Sequence, residues 1–169
     1  MAKECRAFKG CLYFGLMLTP NGPKVIEYNC RFGDPETQVV LPLLETDFVD
    51  IIKAIHAGTL NQLDIQWKKG CVACVIMASG GYPKKYATGL PISGLNEKGQ
   101  LDSAFVYHAG TRYENGTFLT AGGRVLGVTV AGDTLQQALD GAYAAVEQIR
   151  FEGAHYRKDI GQRALACGK

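Results

Sequence analysis

A series of short β-compatible runs fills the middle of the chain, and it constrains the fold more than any other feature. Cys71 to Ser79, Ala104 to Ala109, Thr111 to Glu114, Thr117 to Thr120 and Arg124 to Val130 are apolar or alternating stretches of strand length. Asn115-Gly116 separates two of them, and that dipeptide favours the positive-φ backbone of a tight hairpin. Asp133 or Thr134 then caps a helix in which Leu135, Leu139, Ala142, Val146 and Ile149 recur at helical spacing. A sheet with a helix laid on it is the expected result. Gly80-Gly81-Tyr82-Pro83 to Gly94 reads as a long exposed loop, and the closing FEGAHYRKDIGQRALA as mixed structure.

The preceding segment is written differently. Gly10 to Thr19 and Lys24 to Cys30 flank Pro20-Asn21-Gly22-Pro23, so the two runs predict a hairpin. Asp34-Pro35-Glu36 has the residue order of a helix start, and Pro42 is placed to kink or end that helix. Thr46 or Asp47 caps a second helix carrying Phe48, Ile51, Ile52 and Ile55, with Gly58 as terminator. The pattern changes between residues 57 and 66, which suggests two parts, 1–58 and 59–169, in an α+β architecture.

Charge and hydropathy exclude several function classes. Eighteen basic against sixteen acidic residues leave a formal charge of +2 with no dense basic run, so nothing points to nucleic acid. The longest apolar runs fall far short of a membrane helix, and MAKECRAFKG lacks the apolar centre of a signal peptide, which suggests a soluble cytoplasmic protein. The six cysteines Cys5, Cys11, Cys30, Cys71, Cys74 and Cys167 lie among apolar residues, as packing cysteines in a reducing compartment would. Cys71-x-x-Cys74 sits in a strand-like run, where positions i and i+3 face opposite ways, and no second pair completes a metal site.

Chemistry concentrates between Glu27 and Glu36. On a strand, residues i and i+2 share a face, so Glu27 and Asn29 present a carboxylate and an amide together while Tyr28 turns away. Such oxygen donors suit Mg2+, which is commonly held by one or two protein groups, phosphate oxygens and water. Glu-x-Asn alone also fits a solvated strand face. Arg31 at the next same-face position can pair with a phosphate or carboxylate, and the expected Asp34-Pro35 helix start offers backbone N–H groups to an anion.

The run GLMLTPNGPKVIEYNCRFGDPETQVVLPLLETD resembles the phosphoribosylamine–glycine ligase family, and EYNCRFGDPETQ separates it from other ATP-grasp ligases. The resemblance continues through VIMASGGYP, VYHAGT, GGRVLGVT and FEGAHYRKDIGQRA, nearly the whole chain. It implies the C-terminal remnant of an ATP-grasp domain followed by a small sheet-plus-helix C-terminal domain. The implied reaction is ATP-dependent joining of glycine to 5-phosphoribosylamine, giving glycinamide ribonucleotide, ADP and phosphate through a glycyl phosphate. By this resemblance Glu27 and Asn29 are ligands of Mg2+ or Mn2+ bridging ATP phosphates. Arg31, Asp34 and Glu36 line the glycine and transferred phosphate, with Arg31 and Asp34 in catalytic roles, and Arg157 and Lys158 resemble a basic pair near the ribose phosphate.

Plainer readings stand beside these. Arg157 and Lys158 also fit a solvated charge pair, Gly122-Gly123-Arg124 a tight strand entry, and His108 a hydrogen-bonded strand residue rather than a catalyst. The family's glycine-rich phosphate loop, adenine pocket and upstream acidic metal ligand find no counterpart here, nor do GxxxxGK[ST] or GxGxxG. The chain by itself is therefore expected to bind Mg-ATP poorly and to lack ligase activity. The alternative is a non-catalytic binding or structural module that pairs with a separate N-terminal half or self-associates through apolar surface from Leu12 to Met17.

Overall fold

The expected first hairpin is present in the computed structural model, which describes residues 1–167 apart from the side chains of Ala2 and Cys167. Cys167 as a packing residue thus lies outside the described residues. β1 (Tyr13–Thr19) and β2 (Gly22–Asn29) pair antiparallel, with Thr19 opposite Gly22. Thr19 Oγ1 closes the turn by donating to the Gly22 carbonyl at 2.7 Å and accepting from Asn21 N at 3.2 Å. Gly22 and Pro23, expected in the turn, instead open β2. Proline brings no N–H to a ladder, and a two-stranded sheet has an edge on both sides to accommodate it.

The helix expected from Asp34 begins at Thr37. Residues 34–36 form a turn with a cis Asp34–Pro35 peptide, and Thr37 N donates to the Gly33 carbonyl at 3.1 Å. The helix α1 (Thr37–Val40) is one turn long and passes into a 3-10 turn at Leu41–Leu43, since Pro42 has no N–H with which to continue it. The second helix is as expected. Asp47 caps α2 (Phe48–Ala57) by accepting from Val49 N at 2.7 Å, and Gly58 ends it at φ 75°. Its inward face carries the buried Ile51.

The remaining strands are β3 (Cys71–Ala78), β4 (Pro91–Ile92), β5 (Phe105–His108), β6 (Thr111–Glu114), β7 (Thr117–Thr120) and β8 (Arg124–Gly132). They form two antiparallel three-stranded sheets, ordered β3-β8-β5 and β4-β7-β6. Asn115 at φ 48° and Gly116 at φ 81° make the β6–β7 turn, as the dipeptide demands. The stretch from Gly80 to Gly94 is not all loop. Thr120 exchanges backbone hydrogen bonds with Gly89 and Leu90, which docks β4 against β7 and buries Ile92.

The core is built where α3 (Leu135–Val146) packs on β3 and β8. Thr134 starts this helix with a reciprocal capping box: its hydroxyl accepts from Gln137 N at 3.2 Å, and Gln137 Oε1 accepts from Thr134 N at 3.2 Å. Alternation sends Ala73, Val75 and Met77 to one face of β3, where Val75 lies opposite Val128 and Met77 opposite Leu126. Leu139, Ala142 and Val146 close over them, and each buried Val or Leu contributes about 1.5–3 kcal/mol. A last helix, α4 (Gln162–Cys167), orders part of the segment expected to be mixed.

Two compact units result, Met1–Thr37 with Leu44–Lys68, and Gln38–Leu43 with the chain from Lys69 onward. The division falls after Lys68 rather than after Gly58. Backbone pairing explains the shift: Glu45 N donates to the Gln66 carbonyl at 3.0 Å, Gln66 N donates to Thr46 Oγ1 at 2.7 Å, and Leu44 bridges Trp67.

Candidate functional site

In the first unit, the hairpin register sets the candidate site. Glu27 stands opposite Gly15 and Asn29 opposite Tyr13, with a bulge between Gly15 and Leu16. The side chain of Glu27 lies across β1, because a Cβ on Gly15 would come within 2.9 Å of Glu27 Cγ. Asn29 Nδ2 donates to Glu27 Oε1 at 3.0 Å, so strand alternation has brought the two side chains together.

Tyr13 extends this group. Loss of water, the nearby Glu36 charge, hydrogen bonding with that carboxylate and the Glu27 charge push its phenol above the ordinary 10.0. The Glu36 carboxylate lies against Gly33, where any side chain would overlap it. The Gly33 carbonyl accepts from both the amide and the hydroxyl of Thr37, which holds the turn carrying Glu36. Glu27, Asn29, Tyr13 and Glu36 thus form one polar group.

Arg31 and Asp34 are exposed, and Arg31 Nη1 donates to the Phe32 carbonyl at 2.7 Å. The backbone anion site anticipated at Asp34-Pro35 does not form, because the one-turn α1 starts three residues later and carries no useful dipole. Tyr13 was not evident from the sequence as a member of the group. Its only signal was cross-strand position opposite Asn29, which requires the register.

In the second unit, Arg157 and Lys158 are exposed, but Arg157 is not a bare cation. Its Nε and Nη2 donate to the two carboxylate oxygens of Asp159 at 2.9 and 2.8 Å. That fork raises the guanidinium pKa and lowers the Asp159 carboxyl below its ordinary 3.8. Asp159 was also absent from the sequence-derived residues, although Arg-x-Asp spacing in a turn was there to be read.

The other singled-out residues have structural roles. His108 Nε2 donates to the Gly99 carbonyl at 2.8 Å, so Nδ1 is the acceptor for Thr111 Oγ1 at 2.9 Å, and the ring sits on Phe118. Gly122 and Gly123 accept at their carbonyls from Ser79 Oγ and Ser79 N, each at 2.8 Å, the tight strand entry anticipated. Cys71 and Cys74 are unbridged and half-buried, whereas Cys5 and Cys30 are exposed rather than packed. Among the described residues no group of three or more His, Cys, Asp and Glu could hold a metal unaided, and no helix is long and apolar enough to cross a membrane.

Comparison with known proteins gives these features a context. Residues 72–163 match the family model for the phosphoribosylglycinamide synthetase C domain, and 1–37 match that for the ATP-grasp (A) domain of the same synthetase. A phosphoribosylamine–glycine ligase of Caldanaerobacter subterraneus subsp. tengcongensis is 52% identical over 95% of this chain and 38% of its own length. The human trifunctional purine biosynthetic protein adenosine-3 is 47% identical over 98% of this chain and 16% of its own length. The crystal structure of the Thermotoga maritima phosphoribosylamine–glycine ligase superposes with a TM-score of 0.79 at 35% identity, over 94% of this chain and 38% of that one. The chain therefore spans well under half the length of these relatives. With more than half of its residues in the C-domain match and the Glu27–Asn29 hairpin inside the A-domain match, the chain belongs to the phosphoribosylglycinamide synthetase family.

Proposed function

We propose that this chain supplies the metal-handling strand and the C-terminal domain of an ATP-dependent ligase that joins glycine to 5-phosphoribosylamine in purine biosynthesis. The products are glycinamide ribonucleotide, ADP and phosphate. The observation that carries the reading is the 3.0 Å contact between Asn29 and Glu27 on one strand face, within the segment matched to the ATP-grasp domain. A carboxylate and an amide oxygen fit a hard divalent cation, Mg2+ or Mn2+, of the kind commonly shared with phosphate oxygens and water. When bound, such an ion neutralises charge on the transferring phosphoryl group. Glu27 and Asn29 would hold it.

The remaining roles rest on the family resemblance. Arg31, which is exposed, stabilises the negative charge of the glycyl phosphate, and Asp34, also exposed, helps receive the amine. Glu36 belongs to the substrate loop beside the glycine and transferred phosphate, where its charge also acts on Tyr13. Arg157 and Lys158 receive the ribose phosphate. A cytoplasmic setting goes with this reading, and the described cysteines are all unbridged.

A second reading, a non-catalytic module that self-associates or pairs with a separate N-terminal half, is favoured by the hairpin surface. Phe14, Leu16, Met17, Leu18, Val25, Ile26 and Tyr28 are all exposed there. One experiment separates the two. The chain is mixed with the nucleotide-binding half of a relative, and ADP release is followed with glycine and phosphoribosylamine present. Ligase function predicts no turnover by the chain alone, turnover in the mixture, and loss of it in the Glu27→Ala, Asn29→Ala double variant. Undiminished turnover by that variant would refute the metal assignment, and assembly without turnover would favour the structural module.

A further inference from the structure

Tyr143 on α3 reaches the basic turn near the C-terminus with a single oxygen. Its hydroxyl donates to the Arg157 carbonyl at 2.8 Å and accepts from Ile160 N at 3.1 Å. Both ends of the turn that carries Arg157, Lys158 and Asp159 are thereby tied to the helix. A hydroxyl is able to donate and accept at once, and the equivalent phenylalanine can do neither. Helix α3 is itself anchored in the core by Leu139, Ala142 and Val146, so the tie runs from rigid structure to an exposed turn. The Tyr143 ring also packs beside Tyr156, the residue before the turn, with centroids 6.2 Å apart.

The bonds within the turn add to this. Asp159 occupies the Nε and Nη2 side of the Arg157 guanidinium, which sets the direction of that side chain. An anion approaching from solvent meets the exposed Lys158 and the Nη1 side of Arg157. How closely those two cations can converge depends on the backbone between residues 157 and 160, which Tyr143 holds at each end.

We propose that Tyr143 is a positioning residue for a sugar-phosphate subsite, its hydroxyl holding the 157–160 turn in the form in which Arg157 and Lys158 grip one phosphate. The inference rests on the phosphate-binding reading of Arg157 and Lys158 given above. Tyr143 touches no substrate in this role. It removes the ordering cost that a loose turn would have to meet on binding.

The test uses ribose 5-phosphate as probe, titrated into the 169-residue chain and followed through backbone amide and Arg Nε–H resonances. In the unsubstituted chain, the Ile160 amide exchanges slowly with solvent, and the probe shifts Arg157 and Lys158. Tyr143→Phe weakens ribose 5-phosphate binding about tenfold, equivalent to about 1.4 kcal/mol, because both hydrogen bonds that preorganise the turn are lost. The Ile160 amide loses protection while the α3 amides keep theirs, a pattern that general destabilisation would not give. Equal affinity in Tyr143→Phe, or a rapidly exchanging Ile160 amide in the unsubstituted chain, overturns the positioning role. The latter measurement stands even if the variant does not fold. Arg157→Ala, Lys158→Ala marks the other failure: undiminished ribose 5-phosphate binding there, or no binding by the unsubstituted chain, overturns the phosphate reading itself and the role of Tyr143 with it.

Discussion

The Glu36 carboxylate, in the turn that follows the second strand of the hairpin, acts on the phenol of Tyr13 on the first and raises its pKa. This interaction couples the Asp34–Glu36 turn electrostatically to the strand that faces Asn29. It also makes Tyr13 a reporter of the whole polar group, since burial and the charges of Glu36 and Glu27 all favour its neutral form. The folded chain binds the phenolic proton more tightly than the unfolded chain does. Tyr13 therefore contributes its full stabilisation below the ordinary value of 10.0, and this is lost as pH rises through the higher folded value. Glu36→Gln should bring the Tyr13 titration, read from its ring carbon resonance, partway back towards 10.0; an unmoved titration would show that the two side chains are not joined in solution.

Glu27 and Asn29 should respond together to a divalent cation. If the two residues hold the ion as proposed, Mn2+ alone should bind weakly, in the millimolar range expected of a hard-cation site that relies on substrate oxygens. Paramagnetic broadening should nonetheless concentrate on Glu27, Asn29 and their cross-strand neighbours Gly15 and Tyr13. Glu27→Gln, which keeps the size and removes the charge, should abolish that local broadening. Persistence in the variant would place the cation elsewhere.

The second unit depends on the joint between α3 and the β3-β8 face. Leu126 is fully buried there opposite Met77, so Leu126→Ala should cost about 2–5 kcal/mol in urea unfolding, through lost transfer energy and the cavity left behind. Thr134→Ala removes one half of the capping box and should cost about 1 kcal/mol without altering the denaturant slope. A smaller effect at Leu126 than at Thr134 would contradict this description of the core.

Much of this was legible in the sequence because local signals agreed with one another. Asn115-Gly116 fixed its hairpin, Asp133-Thr134 and Thr46-Asp47 each contained the residue that caps its helix, and Gly58 marked the end of α2. The Glu27–Asn29 pairing needed only strand alternation. The misreadings share a cause, which is dependence on contacts distant in the chain. Nothing near Ile92 announces that it will pair with Phe118 in a sheet, and nothing near Glu36 announces Tyr13. Asp34-Pro35-Glu36 has a helix-start composition, yet the Gly33 carbonyl is satisfied by Thr37, and the helix starts there instead. The first part extends to Lys68 because Gln66 and Trp67 return to pair with Leu44, Glu45 and Thr46, a non-local closure that a change of hydrophobic period does not reveal.

The fork between Arg157 and Asp159 gives a prediction with a definite sign. Hydrogen bonding to the guanidinium holds the Asp159 carboxyl below its ordinary 3.8, so the folded chain releases that proton more readily than the unfolded chain. The resulting stabilisation is present above 3.8 and is lost as pH falls through the lower folded value. Both side chains are exposed, so the stability change is small and shrinks as salt rises. The local signature is larger than the global one. The Arg157 Nε–H resonance should exchange slowly with solvent while Asp159 is ionised, and should broaden as acid protonates it. Asp159→Asn should give the broadened form throughout this range. It should also leave the guanidinium free to turn outward, so ribose 5-phosphate binding by this variant should strengthen if Asp159 competes with the phosphate, and weaken if Asp159 aims the guanidinium at it. The 2.9 and 2.8 Å contacts use the Nε and Nη2 side and leave Nη1 towards solvent, which favours aiming: weaker binding is the expected result, measured by the same amide titration.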